Sequence, residues 1–420
     1  MNSSGILSSE SSSKREIIML NIFWGGVLLF ELGSCISATG ALSIKQSQAI
    51  QAAGVVPMII GVVTLVKLRM DSGYLRLIFP LLIIWNLFII FRAENLSLKY
   101  DFFKDFLFGS NDSGLIYIAP FVLLFKKNTA QYKKLFYFIT VAAILFFLLS
   151  AVFIKQLLSK GDNTLGQRII ENFYDLSIPS AFIILTYLYH TRKRMLIAIA
   201  SVLLTALLVV VRARRGLIFI STSLLFFCIL SYFIHSRKKF LIIYLALLFT
   251  SIGFLYANNL YNIANNKFIG FLYQRGTEDT RENVELYFYD DMKQRDWIIG
   301  RGFTGKYFCP DIEDNQETNY RTVIETGYLQ VILKGGIVSL ALLLLIMVPA
   351  IFLGIFYSNN LLSKAAAIWI FQFVIDLYPQ DSVSFSIFYI MVWISVGICY
   401  SKAIRRMSNN ELKYQLKLVN

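Results

Sequence analysis

Charged residues are scarce in this chain. Asp, Glu, Lys and Arg make up 16% of its 420 residues, against about 25% in an average soluble domain. Hydrophobic residues make up 56%, and the mean hydropathy is +0.61. The apolar runs approach the length of about 20 residues that a helix needs to cross a bilayer, without the period-two alternation of barrel strands. These values exclude an ordinary soluble enzyme and indicate a polytopic membrane protein.

Cysteine and histidine are also rare. Of four cysteines only Cys309 lies in a polar stretch, and their spacing indicates neither a disulfide framework nor a metal site. The two histidines, His190 and His235, stand at the ends of apolar runs. We therefore expect no metal ion and no cofactor. Residues 1–13 lack the apolar core and cleavage site of a secretory signal, so the first span is expected to remain as an anchor.

The apolar runs predict an all-α polytopic membrane protein with about 12 transmembrane helices. In this interpretation residues 1–16 form a cytoplasmic tail, 17–257 hold helices 1–9, 258–325 form a large periplasmic loop, 326–400 hold helices 10–12, and 401–420 form a basic cytoplasmic tail. The predicted spans are 17–37, 49–66, 74–91, 115–125, 135–154, 173–190, 195–211, 217–234, 240–257, 326–356, 365–378 and 382–400. Residues 96–108 form an amphipathic segment that we expect at the membrane interface.

The basic residues predict the orientation of the chain. An even number of spans places both termini on one side, and the short loops on that side carry most of the lysines and arginines found in short loops. Cytoplasmic loops are enriched in this way, so the polar insert should face the periplasm or the cell exterior. The same bias accounts for the net charge of +14, and no nucleic-acid partner is expected.

Two arginine-rich stretches break this charge rule. One is the polar insert, and the other is a hairpin between the seventh and eighth predicted spans, with Arg212, Arg214 and Arg215 followed by Gly216. Guanidinium groups match phosphate oxygens and stay charged at any accessible pH. The hairpin therefore indicates a binding site for an anionic ligand. The alternative is that these side chains extend to lipid headgroups at the membrane surface.

Short motifs follow one another in a fixed order between residues 196 and 348. They are Arg214-Arg215-Gly216 at the start of a span, Arg281 ahead of Trp297, the turn Gly300-Arg301-Gly302, the entry Glu325-Thr326-Gly327-Tyr328-Leu329 to the tenth span, and Gly335-Gly336-Ile337. Each motif is weak by itself. Their combined order, spacing and topology resemble the C-terminal domain shared by O-antigen polymerases (Wzy) and O-antigen ligases (WaaL).

The resemblance implies a lipid-linked glycosyltransferase of a bacterial inner membrane. Its donor and acceptor are oligosaccharides on undecaprenyl pyrophosphate in the bilayer, and a co-polymerase that regulates chain length is an expected partner. An acceptor hydroxyl attacks the anomeric carbon, and pre-placed arginines stabilise the leaving lipid pyrophosphate. Arg215 and Arg281 are then expected to be catalytic. The predicted substrate-binding residues are Arg212, Arg214, Arg275, Arg301, Arg168, Gly300, Gly302, Tyr328 and Trp297.

The chain departs from the ligases at one position. Where they have a histidine this sequence has Glu325, and neither histidine lies on the predicted periplasmic side. The departure favours a polymerase of O-antigen, capsule or another exopolysaccharide over a ligase. Glu325 becomes the candidate to orient or deprotonate the acceptor hydroxyl, with Glu278 and Asp279 as alternatives. Equally, Glu325 could be a carboxylate that stabilises the start of a helix.

Other features leave alternatives open. The insert is rich in aromatic residues and carboxylates, which fits either a glycan groove or a small loop core beside an interfacial aromatic belt. Two charged residues, Glu31 and Lys334, fall inside predicted spans, where each either serves the function or pairs with another group. A flippase of lipid-linked units is an alternative of a different class. Its polar groups should gather at mid-membrane, however, and not at one face.

Overall fold

The structure, a computed structural model, describes residues 14–68, 70, 72–93, 100–108, 113–159, 164–212, 214–235, 282–310, 319–380 and 383–418. The predicted ninth span, 240–257, lies outside the described residues. So do four of the residues singled out from the sequence, namely Arg275, Glu278, Asp279 and Arg281.

Helices dominate the described part of the chain. In chain order they are α1 Lys14–Thr39, α2 Ile44–Leu65, α3 Gly73–Phe91, α4 Tyr100–Phe108, α5 Leu115–Ile118, α6 Thr129–Val152, α7 Ile154–Leu158, α8 Thr164–Ser177, α9 Ser180–Leu185, α10 Arg192–Val211, α11 Arg215–His235, α12 Glu282–Asp291, α13 Gln294–Ile299, α14 Gly327–Phe356, α15 Leu361–Asp376, α16 Ile387–Tyr400, α17 Lys402–Arg406 and α18 Asn409–Leu418. Two 3-10 helices, Ala119–Leu124 and Tyr187–Tyr189, and two short strands, β1 Tyr307–Phe308 and β2 Tyr320–Arg321, accompany them.

Seven of these helices are long and apolar enough to cross a membrane: α1, α2, α3, α6, α10, α11 and α14. They match the first, second, third, fifth, seventh, eighth and tenth predicted spans, and they confirm a helical, multi-pass membrane protein. The predicted total of about twelve is not confirmed. The fourth span consists of the short α5 and a 3-10 helix, and the eleventh and twelfth are α15 and α16, of 16 and 14 residues.

The sixth predicted span, 173–190, is broken. α8 ends two residues before Pro179, and α9 begins directly after it. Proline has no N–H to donate and its ring crowds the preceding turn, which weakens a helix at that point; α2, α3 and α14 continue through a proline, whereas α8 does not. The prediction of one continuous helix is therefore wrong here. α8 is instead an amphipathic helix that starts well before the apolar run, and Arg168, Glu171 and Asp175 share one of its faces.

The core of the bundle lies around α16, all of whose residues are buried. α15 packs on it through Trp369 and Phe373, whose rings lie 4.9 and 6.4 Å from that of Phe388. α1 and α2 pack along each other. A Cβ atom on Gly26 would lie 2.6 Å from the Gly54 carbonyl oxygen, so the close approach of these two backbones depends on glycine.

The described part of the polar insert is folded and includes a β-hairpin, which the helical prediction did not foresee. β1 and β2 pair antiparallel, with Tyr307 opposite Arg321. Phe288 and Tyr307 are fully buried in a small core, together with Leu329 and Leu333 from the start of α14. This shared core attaches the insert to one end of the bundle, called the insert end below.

Both ends of the described chain lie at the opposite end of the bundle. Near the N-terminus, Glu16 lies 4.0 Å from Lys126, just before α6. Near the C-terminus, Asn409 accepts a hydrogen bond of 2.7 Å from the Tyr189 hydroxyl. The insert and the two tails are therefore separated by the length of the bundle.

Candidate functional site

α14 is broken at Gly336, which has φ of 69° and ψ of −177°. A residue with a side chain rarely adopts this φ, and a Cβ atom here would overlap the Ile298 carbonyl. Gly300, in the turn after α13, also has φ of 69°, and a Cβ atom there would lie 2.5 Å from the Lys334 carbonyl oxygen. The two glycines together allow the turn at residues 300–302 to lie directly on the break.

The break frees three consecutive carbonyl groups of α14, which an unbroken helix would bond to N–H groups four residues later. The Arg301 N–H donates to the Leu333 carbonyl at 2.7 Å, and the next N–H along the turn donates to the Lys334 carbonyl at 2.9 Å. The indole N–H of Trp85 donates to the third carbonyl, also at 2.9 Å. The insert and α3 thus supply the donors that the broken helix lacks.

Arg92, directly after α3, holds the same turn from the other side. Its two terminal nitrogens donate to the carbonyls of Ile299 and Gly300 at 2.7 and 2.8 Å. A Cβ atom on Gly302 would lie 2.6 Å from the Arg92 carbonyl oxygen. The expectation that Gly300 and Gly302 bind substrate finds no support in these contacts, which give both glycines a structural role between α3 and α14.

Arg301 lies in this turn, and its guanidinium is occupied within the insert. Nε donates to Asp296 at 2.9 Å, and Nη1 donates to Asp291 at 2.5 Å and to the Lys306 carbonyl at 2.7 Å. Nη2 donates to the Asp291 carbonyl. Arg301 therefore ties α12, α13 and the turn together, and its contacts do not support the expectation that it binds substrate.

Arg212 directly follows α10, and it is 3% exposed. Its guanidinium donates to the carbonyl and the hydroxyl of Ser159, both at 3.0 Å, and to the carbonyl of Gln156. Carbonyls at the C-terminal end of a helix, here α7, need donors of this kind. Gly166 packs so closely on the guanidinium that a Cβ atom would overlap it. Arg212 caps a helix, and its predicted role in substrate binding is not supported.

Arg214 has a different environment. Its Nη2 lies 2.7 Å from Oε1 of Glu171 on α8, and the two side chains are 34% and 41% exposed. Burial raises the pKa of Glu171, and Arg214 lowers it. Glu325 raises the same pKa and Arg168 lowers it, so all four groups lie within electrostatic reach. We call Arg168, Glu171, Arg214 and Glu325 the charged cluster; Arg215, the exposed first residue of α11, is next to it.

The first turns of α11 and α14 bring the charged cluster together. Gly216 and Gly327 both pack against Gln380, after α15. Cβ atoms on them would lie 2.6 Å from its side-chain oxygen and 2.7 Å from its carbonyl oxygen, respectively. The Tyr328 N–H donates to the Leu377 carbonyl at 3.0 Å. Because helix N-termini carry partial positive charge, these two helix ends add to the positive field of the arginines.

Two further predicted residues, Trp297 and Tyr328, belong to one row of aromatic rings. Trp297 stacks on Tyr289 with ring centroids 5.9 Å apart and planes at 7°. Tyr328 lies parallel to Tyr378, with centroids 6.5 Å apart and planes at 1°. Tyr289 also acts electrostatically on the Tyr328 hydroxyl, so the two pairs are neighbours. We call these four residues the aromatic ladder.

The two charged residues inside predicted spans have structural contacts. Glu31 of α1 accepts a hydrogen bond of 2.9 Å from the Ile387 N–H at the start of α16, which favours the helix-pairing alternative for this residue. Lys334 is buried and donates to the Gly305 carbonyl at 3.2 Å. It stands before the break in α14, so it joins the insert to the bundle.

Glu171 and Arg92 were not among the residues predicted from the sequence. Glu171 stands three residues after Arg168 and four before Asp175, the spacing of one face of an amphipathic helix. This spacing is visible in the sequence, but it overlaps the start of the long apolar run that was predicted to be the sixth span. Arg92 simply ends an apolar run, and its role follows only from its contacts with the insert.

Comparisons with protein-family models, with curated proteins and with solved structures found no match to this chain. Among the residues that the structure describes, no three His, Cys, Asp or Glu side chains are placed to hold a metal ion. The features that indicate a function are therefore the charged cluster, the aromatic ladder and their shared position at the insert end.

Proposed function

We propose that this protein is a membrane glycosyltransferase of the O-antigen polymerase type. It joins oligosaccharide repeat units carried on undecaprenyl pyrophosphate, with the insert end on the periplasmic side of a bacterial inner membrane and both tails in the cytoplasm. The observation that supports the proposal is the charged cluster. Arginines and carboxylates from α8 and from the residues just before α11 and α14 meet at one end of a membrane bundle, which is where the pyrophosphate and the first sugar of a lipid-linked unit would lie.

The arginines suit a pyrophosphate leaving group. When the bond between the anomeric carbon and the phosphate oxygen breaks, its electrons move onto the pyrophosphate. Arg168, Arg214 and Arg215 place positive charge there before the bond breaks, so they stabilise the transition state more than the ground state. Loss of one such contact commonly raises the barrier by about 2–4 kcal/mol. Arg275 and Arg281, outside the described residues, remain predicted partners of the same group.

The carboxylates suit the acceptor. Its hydroxyl oxygen forms the new bond to the anomeric carbon and gives its proton to a carboxylate. Glu171 is the group that we assign to this step, because burial raises its pKa. A pyrophosphate that replaces Glu171 on Arg214 removes the cation that lowers this pKa, so substrate binding makes the carboxylate a stronger base. Glu325, close by, orients the hydroxyl.

Incubation of the purified protein with a lipid-linked repeat unit tests the proposal. We expect products that are longer by whole repeat units, with and without a chelator, because the arginines supply the positive charge that a metal would otherwise supply. The matched control is a Glu171→Gln, Glu325→Gln double variant that keeps the size of both side chains. A folded wild-type protein that leaves single units unchanged would contradict the proposal.

The species that accumulates in a deletion strain separates the other functions. A polymerase deletion leaves single repeat units on the carrier and on the periplasmic face. A ligase deletion leaves long polymer on the carrier, and a flippase deletion leaves units that cannot be labelled from outside. Accumulation of either of the last two species would replace the proposal with the corresponding function.

A further inference from the structure

The aromatic ladder runs beside the charged cluster at the insert end. Its rings come from four elements: Tyr289 from α12, Trp297 from α13, Tyr328 from the first turn of α14, and Tyr378 from the turn after α15. Tyr328 follows Glu325 by three residues. The middle of the aromatic ladder is therefore close in the chain to Glu325, the carboxylate that we propose orients the acceptor hydroxyl.

Exposure separates the aromatic ladder from the core of the insert. Phe288 and Tyr307 are fully buried and meet edge to face, with ring centroids 5.5 Å apart and planes at 78°, a common arrangement in packed cores. Tyr289 is 41% exposed and Tyr378 is 75% exposed, and each lies parallel to its neighbour in the row. Tyr289 and Tyr378 thus offer accessible ring surface, while Trp297 and Tyr328 are half-buried against the core and hold the two exposed rings in place.

Carboxylates border the aromatic ladder. Glu285 accepts a hydrogen bond from the Thr326 hydroxyl and acts electrostatically on Tyr328. Glu325 precedes Tyr328 by three residues, just before α14 begins. A sugar fits this combination, because its C–H face packs on an aromatic ring while its hydroxyls donate to carboxylates. An anionic ligand would be repelled by the two carboxylates, and an acyl chain would offer them no hydrogen-bond donor.

We propose that the aromatic ladder binds the sugar rings of the acceptor glycan and directs its terminal hydroxyl toward Glu325. This inference rests on the proposed function and deepens it, since it assigns a separate surface to the acceptor and leaves the arginines to the donor. The aromatic ladder acts on the binding of the acceptor and not on the bond that breaks. Its loss should therefore raise the KM for the acceptor and shorten the products, with little change in kcat.

Direct binding tests the proposal without requiring catalysis. The probe is the free repeat-unit oligosaccharide, released from its lipid carrier by mild acid and titrated into purified protein in nanodiscs. We expect Tyr378→Ala to weaken binding by about tenfold, as the loss of one aromatic contact and its buried area allows, and Tyr378→Phe to bind nearly as wild type because the ring remains. Phe308→Ala is the matched control, since Phe308 is 40% exposed at the same end but meets Tyr320 edge to face outside the ladder.

The outcomes separate this proposal from an interfacial aromatic belt and from the proposed function. A Tyr378→Ala variant that binds the oligosaccharide as wild type, with or without a lower unfolding temperature, overturns the proposal and leaves an interfacial belt. If wild-type protein still extends lipid-linked units in that case, the polymerase stands. Oligosaccharide binding that depends on the ring of Tyr378, in a protein that extends no unit, supports the aromatic ladder while the polymerase fails.

Discussion

Arg301 and Arg214 lie at the same end of the molecule, and their surroundings give them opposite roles. Arg301 bonds to two carboxylates and two backbone carbonyls of the insert. Arg214 pairs with Glu171, whose charge also responds to Arg168 and Glu325, and its own Nε is buried without a hydrogen-bond partner in the described part of the chain. The hydrogen bonds of Arg301 are all made within the insert, whereas the partly exposed pair of Arg214 and Glu171 leaves both signs of charge within reach of a ligand. The number of fixed acceptors around a guanidinium, and not the residue type, separates the arginine with a structural role from the one that we propose binds substrate.

Replacement of Gly336 should have the largest effect, because a side chain there would overlap the Ile298 carbonyl and push the turn at residues 300–302 away from α14. The backbone conformation of Gly336 is essentially restricted to glycine and costs another residue about 1–3 kcal/mol, and overpacking costs about 1–3 kcal/mol more. We expect Gly336→Ala to lose most of the folded protein, measured as monodisperse yield and unfolding temperature in detergent. Gly25→Ala is the matched control, because a Cβ atom on Gly25 meets nothing within 4 Å. Equal behaviour of the two variants would contradict the broken helix.

Arg214→Ala tests whether the accessible arginine stabilises the leaving pyrophosphate. Loss of one transition-state contact of about 2–4 kcal/mol slows the reaction by roughly 30- to 1000-fold. The unfolding temperature should barely change, because a half-exposed ion pair contributes about 0–1 kcal/mol. Extension of lipid-linked units by purified protein measures the rate, and Arg406→Ala, exposed at the opposite end of the bundle, should keep it. Arg214 does not belong to the leaving-group site if its variant works at the wild-type rate.

Arg301→Ala should give the reverse pattern. The change leaves Asp291 and Asp296 without their shared cation, and the loss of hydrogen bonds to charged groups costs about 1–3 kcal/mol of stability. We expect a lower unfolding temperature, with a nearly unchanged rate for each folded molecule. Arg301→Lys keeps the charge but not the planar guanidinium, so its unfolding temperature should lie between those of wild type and Arg301→Ala. A slower reaction at an unchanged unfolding temperature would move Arg301 into the active site.

Glu171→Gln should have the smallest effect on stability, and this effect depends on pH. Burial raises the pKa of Glu171 above its ordinary value of 4.5. A group whose pKa is raised on folding stabilises the fold at low pH, and the contribution is lost as the pH rises through the folded pKa. Wild type and variant should therefore agree near pH 4.5 and below, and wild type should lose unfolding temperature relative to the variant above it.

Glu411→Gln is the control for that series, because hydrogen bonds from Ser408 lower the pKa of the exposed Glu411. Its pH trend should have the opposite sign. The reaction rate of wild type should also rise as Glu171 loses its proton, while Glu171→Gln stays slow at every pH. Curves of unfolding temperature that coincide for wild type and Glu171→Gln would show that this carboxylate is not desolvated.

The long helices could be predicted from the sequence, because the preference of an apolar run for hydrocarbon is a property of that run alone. The same reasoning fails over residues 173–190, where Pro179 ends the helix inside an apolar run. It also fails for β1 and β2, since strands of two residues are too short to leave a period-two pattern.

The candidate site could be predicted only in part. Arginine on the predicted periplasmic side drew attention to the hairpin, yet Arg212 and Arg214 differ by two positions and look alike in the sequence. The structure places the first against the end of α7 and the second beside Glu171. Glu325 was identified through a motif, while its neighbour Glu171 comes from a helix far away in the chain.

The sequence by itself indicated that this chain crosses a membrane several times, and it predicted that the arginine-rich hairpin and the polar insert lie on the same side. Burial of apolar side chains and exclusion of charge from hydrocarbon act on each segment separately, so both can be recognised one segment at a time. Only the tertiary structure decided which guanidinium groups are occupied by acceptors of the protein and which remain accessible to a ligand. Their hydrogen bonds end on carbonyls and carboxylates that folding brings from distant segments, and satisfaction of a buried polar group therefore depends on the whole fold.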